Sequence, residues 1–279
     1  GTFGTLQAQI LPNRTCIGSA EMDLNLTGCR IIVTAGAAGI GLEVARAFVE
    51  EGAKVWVCDV DRKAIEALAT SDPEISTAVC DVTDRKGVRE FFSTAVVDMG
   101  GLDCLVNNAG IAGATARIED TAPEDWDRCL EVCLTGSYNF AHLAAPLLKE
   151  SDNGSMINFS SAAGKHGFAL RSAYSAAKWG VIGFTKSLAI ELGADGVRVN
   201  AILPGIVAGD RQRRVLEAKA QRLGKTFTEI EAEAFSYTSI REYVTARQLA
   251  DQVLFLASPR GRTISGQAIS IDGDTKMLA

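Results

Sequence analysis

The chain has 279 residues, a net charge of −6, 47% hydrophobic residues and 22% charged residues. That length allows one or two domains with a large core, and the composition is globular rather than disordered. The acidic balance supplies no basic stripe for nucleic acid, and no apolar run reaches the ~18 residues needed to span a bilayer.

Residues 1–22 lack helix or strand periodicity, and also the charged start and apolar run of a signal peptide. They are expected to be an upstream extension outside the fold. From Arg30 onward, short apolar runs alternate with amphipathic stretches. RIIVTAG reads as a buried strand and Ile40 to Glu51 as a helix. Lys54 to Asp59 is a second strand and Arg62 to Thr70 a helix. Ile75 to Asp81 is a third strand, Lys86 to Met99 a helix, and Leu102 to Asn107 a fourth strand. Pro123 to Glu150 reads as one long helix, with Thr121 as its cap and Pro123 in its first turn. Ser155 to Ser160 is a fifth strand, Ala173 to Leu192 a long helix, Val197 to Ile202 a sixth strand and Gln267 to Asp272 a seventh. Continuous apolar strands alternating with helices predict an α/β fold: a Rossmann-type, doubly wound parallel sheet of about seven strands with helices on both faces.

No linker or internal repeat divides the chain, so 23–279 is expected to form one domain. Residues 209–242 interrupt the alternation with a polar, charged segment that includes Arg211, Arg213 and Arg214. An insertion after the carboxyl end of a strand lies on the ligand-binding edge of such a sheet, so this one is expected to be a lid. The seven cysteines are Cys16, Cys29, Cys58, Cys80, Cys104, Cys129 and Cys133. They form no C-x-x-C pair, and His142 and His166 alone cannot complete a zinc set. Cys58, Cys80 and Cys104 lie in or beside apolar strands and read as small buried thiols. That usage fits a reducing cytoplasm.

Two motifs carry the chemistry. Thr34 to Gly41 (TAGAAGIG) joins the first strand to the first helix. Such a turn brings backbone N–H groups and a helix N-terminus to a pyrophosphate, and Gly36, Gly39 and Gly41 leave room where the backbones come close. Ala38 and Ile40 belong to the same cradle. Asp59 ends the second strand, where a carboxylate accepts hydrogen bonds from ribose hydroxyls and repels a 2′-phosphate. Ala37 and Ala38 stand where a basic residue would hold that phosphate, so NAD is predicted over NADP. The second motif is Tyr174 and Lys178, four residues apart and on one helix face. A phenol needs an adjacent positive charge to act as a base near neutral pH, and the ammonium supplies one. Ser161, thirteen residues before Tyr174, is positioned to orient a substrate oxygen, whereas alternation sends Ser160 to the opposite side.

Together with Asp81-Val82, Asn107-Asn-Ala-Gly110, Asn200, Pro204-Gly205, Ser265-Gly266 and Asp272-Gly273, these residues resemble the short-chain dehydrogenase/reductase family from Asp23 to the C-terminus. The resemblance implies Tyr174 as general acid/base, Ser161 as donor to the substrate oxygen and Lys178 on the nicotinamide ribose. It puts Asp81 by the adenine amine, Val82 against the ring, and Asn108, Ala109 and Gly110 beside the nicotinamide ribose. Pro204, Gly205 and Ile206 would also touch the cofactor. The pocket is expected to be lined by 111–114, 162–168 and 209–242. Three positions depart from the family pattern. Ala35 replaces the first motif glycine and is tolerable at negative φ. Gly209 stands where a cofactor-holding Thr is common. Cys133 replaces an Asn that is thought to hold a water linking the lysine to solvent.

The departures leave two readings open. One is an enzyme with a re-routed relay. The other is a nucleotide-binding protein with weakened or lost turnover. The first is favoured, because Ser161, Tyr174, Lys178 and Asp59 share no structural reason to occur together. Cys133 is expected to be an inert thiol, being mid-helix beside apolar residues. The expected activity is NAD-dependent interconversion of a small-molecule secondary alcohol and its ketone, without nucleic acid, membrane or metal. A solvated helix face is the favoured reading of the three arginines, with an anionic substrate group the alternative. Apolar stretches at 140–145 and 181–188 suggest a homo-oligomer, a tetramer by family resemblance.

Overall fold

The computed structural model describes residues 22–278, so the expected extension at 1–22, and Cys16 with it, falls almost wholly outside the described residues. Seven strands form one parallel sheet: β1 (Arg30–Thr34), β2 (Lys54–Asp59), β3 (Ile75–Val79), β4 (Cys104–Asn107), β5 (Ser155–Phe159), β6 (Arg198–Pro204) and β7 (Ala268–Ile271). Their spatial order is β3-β2-β1-β4-β5-β6-β7. The first three strands build outward on one side of β1, and β4 returns to its other side. The carboxyl ends of β1 and β4 therefore diverge at a topological switch point, the crevice where such sheets bind ligands.

Alternation along the strands feeds two cores. Ile31 and Val33 of β1 pack with one cluster, under α1 (Gly39–Glu50) and α9 (Ala246–Ala257). Ile32 faces the other, under α3 (Arg85–Met99) and α5 (Gly136–Lys149). All three β1 residues are fully buried, as expected for strands covered on both faces. The remaining helices are α2 (Arg62–Ser71), α4 (Pro123–Leu130), α6 (Ser172–Gly193), α7 (Asp210–Leu223) and α8 (Phe227–Ser236). No helix among the described residues is long and apolar enough to cross a membrane.

The predicted long helix over 123–150 is interrupted. A π-helical turn at Glu131–Thr135 separates α4 from α5. Hydrophobic periodicity cannot reveal one extra residue in a turn, and such turns concentrate at functional sites. Thr121 is not the cap of α4: its hydroxyl donates to the Arg117 carbonyl at 2.9 Å and closes a preceding 3₁₀ turn, leaving Ala122 at the N-cap. The apolar stretches read as outward-facing are largely internal. Phe140, Ala141, Ala144 and Val181 are buried within the chain, and Tyr138, Trp179 and Ile190 are the exposed large hydrophobic side chains of these helices.

Helix ends are capped by side chains at α2 (Asp61), α3 (Asp84), α8 (Thr226) and α9 (Thr245), the last two as reciprocal capping boxes. Asp72 closes the far end of α2 and takes two hydrogen bonds from Arg46 of α1, at 2.6 and 2.8 Å. That bond, with help from Ser71, holds the Asp72 carboxyl below its usual range, at about 2. The lowered value stabilises the folded state above the ordinary carboxylate pKa of 3.8, and the contribution is lost as pH falls toward about 2. Asp72→Asn should therefore cost about 1–2 kcal/mol at neutral pH, a figure kept low because Arg46 is 43% exposed. Urea denaturation should show the difference at pH 7 and its disappearance near pH 2; a gap that persists in acid would mean that the ion pair is not its source.

Candidate active site

The switch point is held by a latch between the two chain crossings. The Thr34 hydroxyl accepts from the backbone N–H of Asn108 and of Ala109, both at 3.0 Å. The Asn108 side chain returns the bond, donating to the carbonyls of Thr34 (3.1 Å) and Ala35 (2.9 Å). The space is filled to contact. A Cβ at Gly41 would lie 2.4 Å from the Ala35 carbonyl oxygen, and one at Gly36 would lie 2.8 Å from the Val57 methyls. Gly39 has open space but a φ of +56°, so conformation rather than crowding explains that glycine.

Ala35 has a φ of +50°, against the expectation of a negative value. The turn geometry is set by the Asn108 bond to Ala35 and by Gly36 N–H donating to the Cys58 carbonyl at 3.1 Å, and these hold Ala35 in the left-handed region.

At the start of α1, Ala38 occupies the N-cap with no side-chain hydrogen bond, and the first turn has no acidic residue. Its leading N–H groups therefore face the crevice without a partner from a capping side chain, the arrangement that receives a phosphate. Asp59 stands beside this turn. One carboxylate oxygen accepts from Ala37 N–H at 3.3 Å and the other from Asp61 N–H at 3.1 Å. These residues fit the adenosine and pyrophosphate portions of a dinucleotide. Asp81 accepts from the Thr83 N–H and hydroxyl and from Arg128 at 3.1 Å. Burial pushes the Asp81 carboxyl up, but these donors outweigh it and hold it below its ordinary value. Val82 is buried against Gly136 at the end of the π turn.

A cavity of about 530 Å³ opens along this edge. Ala38, Gly39, Ile40, Asn108 and Gly110 line one side; Ser161, Tyr174 and Lys178 line another. Pro204, Gly205 and Ile206 complete the floor. Gly36, Gly41, Asp59, Asp81, Val82 and Ala109 are not in its lining. The expected insertion covers it: Gly209, Arg211, Arg214 and Lys219 of the α7 region are in its lining. Of the other predicted lining segments, Ala162 and Phe168 contribute, but 111–114 does not. That segment is drawn back, and its Ala112 carbonyl accepts from Arg171. Arg171 itself lines the cavity and was not singled out in the sequence, where it carries no motif.

Lys178 is 3% exposed. Its ammonium donates to the Phe159 carbonyl at 2.7 Å and lies 5.7 Å from the Tyr174 ring centroid. Ser160 also lines the cavity, against the expectation that alternation sends it to the opposite side, and its hydroxyl donates to the Lys178 carbonyl at 2.7 Å. The Ser161 hydroxyl oxygen accepts from Ala163 N–H at 3.1 Å. Cys133, inside the π turn, exchanges hydrogen bonds with the backbone N–H and carbonyl of Ile111, at 3.4 and 3.5 Å. It is completely buried, as an inert thiol would be. Its pKa is nevertheless lowered, first by a hydrogen bond from the Cys129 thiol and then by Lys178, against the opposing effect of burial.

Comparison with known proteins adds the lineage. A family model described as Enoyl-(Acyl carrier protein) reductase matches residues 35–274. The chain is 36% identical over 253 residues to D-beta-hydroxybutyrate dehydrogenase of Cupriavidus necator, covering 89% of this chain and 98% of that one. Among solved structures it is similar to NAD+-bound xylitol dehydrogenase, with TM-score 0.85 and 27% identity over 89% of this chain and 99% of that chain. It is likewise similar to a variant of actinorhodin polyketide ketoreductase with NADPH, with TM-score 0.83 and 30% identity over 87% and 95%.

The strained turn generates a stability prediction. A non-glycine residue in the left-handed region costs roughly 1–2 kcal/mol, of which glycine's greater unfolded freedom returns part. Ala35→Gly should thus raise stability by about 0.5–1 kcal/mol in chemical denaturation. A decrease would show that Ala35 carries no such strain.

Proposed function

Because the chain belongs to the short-chain dehydrogenase/reductase family, whose members here include dehydrogenases and reductases, we propose that it interconverts a secondary alcohol and its ketone with NAD as the preferred cofactor. The single observation that carries the reading is the convergence of Ser161, Tyr174 and Lys178 on one cavity whose other end is an uncapped helix N-terminus. A bound nicotinamide dinucleotide supplies the site that accepts or returns the hydride. The chain's own residues hold the substrate oxygen and move its proton.

Tyr174 is the proton-transfer group: in alcohol oxidation its phenol takes the hydroxyl proton, and in ketone reduction it gives that proton back. Ser161 orients the same oxygen. Its own oxygen accepts from Ala163 N–H, which leaves its O–H free to donate to the substrate. Lys178 has one N–H committed to Phe159, so two remain for the phenol and a cofactor ribose. Its positive charge beside the ring stabilises negative charge that develops on the phenol oxygen. Where the Asn was expected, the Cys133 thiol is bonded to the Ile111 backbone. A binding protein without turnover, the rival reading, has Cys133, Ala35 and Gly209 in its favour but offers no reason for three proton-handling side chains in one cavity.

NAD preference rests on Asp59. Its carboxylate is oriented by two backbone N–H groups and has no cationic side chain paired to it among the described residues. A 2′-phosphate at this position would meet unscreened negative charge, whereas ribose hydroxyls would donate to it. The solved relatives carry NAD+ in one case and NADPH in the other, so they do not set the preference. The exposed Tyr138, Trp179 and Ile190 support the further reading that copies of the chain associate through these helices.

Tyr174→Phe keeps the ring and removes the exchangeable proton, so kcat should fall roughly 10²–10⁴-fold in an NADH-absorbance assay while NADH affinity by fluorescence stays close to wild type. Full activity in that variant would remove Tyr174 from the proton-transfer role. Asp59→Ala should weaken NAD binding far more than NADP binding. A wild-type protein that already favours NADP in kcat/KM would contradict the assignment of Asp59.

A further inference from the structure

Arg171 stands at the N-cap of α6, three residues before Tyr174, and is 4% exposed. Its guanidinium makes one hydrogen bond, from Nη2 to the Ala112 carbonyl. Nε and Nη1 are buried with no partner among the described residues. The cation lies 5.1 Å from the Tyr174 ring centroid and 5.3 Å from that of Phe168. Aromatic faces offset only part of the cost of burying a charge, and a buried guanidinium without a counter-charge is an unstable arrangement unless something supplies one.

The surroundings make the same demand. Arg211, Arg214 and Lys219 line the cavity with Arg171, and Asp210 is the one carboxylate among the described lining residues. Of the insertion's cations outside the lining, Arg213 pairs with Glu217 at 2.8 Å, Arg222 with Asp120 and Lys225 with Glu233 at 2.7 Å, and Arg241 alone has no ion pair among the described residues. Those that line the cavity have no ion-pair partner among the described residues. Burial first, and then Arg211, push the Arg171 pKa down, as expected of a cation facing others in a confined space. In a chain of net charge −6, this local excess of positive charge sits at the cavity and not over the whole surface.

We infer that the substrate carries an acidic group a few bonds from the carbon that reacts, and that Arg171 is the residue that receives it. This rests on the reading of Tyr174 given above. The substrate class is then a short hydroxy acid and its oxo acid, bound by its oxyanion at Arg171 and by its hydroxyl or carbonyl oxygen at Tyr174 and Ser161. The closeness of the guanidinium to the Tyr174 ring requires a small molecule with the two groups near each other. Arg211 and Arg214, open to solvent on α7, draw the anion toward the mouth of the cavity.

The test uses the whole chain with NAD. Short hydroxy carboxylates are compared with their methyl esters, and with the matching hydroxyalkyl sulfonates to separate a carboxylate site from a sulfonate site. Acids should exceed their esters in kcat/KM by at least about thirtyfold, and R171M should abolish that preference mainly through KM. In parallel, a non-reacting short dicarboxylate is titrated into the protein–NADH complex by fluorescence. It should bind wild type and bind R171M at least about thirtyfold more weakly, with R171K between them. If R171M fails to fold, displacement of substrate from wild type by the dicarboxylate but not by its diester carries the decision. Esters turned over as well as acids by wild type would overturn the inference, as would an R171M variant that loses NADH by the same factor as the acid. If no alcohol of either kind is oxidised but the dicarboxylate still binds through Arg171, the acid site stands and the dehydrogenase reading falls.

Discussion

The reciprocal latch between Thr34 and Asn108 is the constraint on which the rest of the site depends. Two strands leave the sheet in opposite directions at this point, and each crossing exposes backbone groups that must find partners. One hydroxyl and one amide satisfy them across the gap. The same bonds fix how far the first turn stands from Gly110, and so how wide the crevice opens. They also force Ala35 into a left-handed conformation and leave no room for a side chain at Gly41. The uncapped start of α1 follows, because a turn pinned on both sides delivers the helix N-terminus straight into the crevice.

A second set of buried polar bonds secures the other half. Asn158 of β5 accepts from Asn107 of β4 at 2.9 Å and donates to Thr185 of α6 at 3.0 Å. Ser160 and Lys178 tie the end of β5 to the same helix. Buried bonds of this kind specify one docking of the helix against the sheet, although the Asn107 Oδ1 finds no partner among the described residues. Tyr174 and Lys178 are thereby carried on a rigid element rather than a loop, which suits groups that must meet a substrate oxygen with little tolerance.

Much of this was legible in the sequence, for physical reasons. Strands buried on both faces read as continuous apolar runs, so β1 to β7 were found within a few residues. The separations of Ser161, Tyr174 and Lys178 are legible in the sequence, and the structure brings all three to one cavity. What escaped depends on interactions between distant segments. The sign of φ at Ala35 is set by Asn108, seventy-three residues away. The π turn at Glu131–Thr135 adds one residue to a helix without altering its apolar pattern. Arg171 looks like an ordinary loop residue until burial strips away its water and its partners. The arginines of α7 divided according to which face met the cavity: the solvated-face reading holds for Arg213 with its carboxylate, while Arg211 and Arg214 reach the cavity. Periodicity alone did not settle that division.

The open N-terminus of α1 has a consequence for the life of the molecule outside its reaction. A ligand whose phosphates complete that helix end binds the folded chain and not the unfolded one. Each tenfold rise in its free concentration above its Kd then adds about 1.4 kcal/mol of stability. Where α2, α3, α8 and α9 carry side-chain caps, this helix leaves its first N–H groups open toward the crevice. A dinucleotide bound there would therefore add to the stability of the fold as well as serve the reaction.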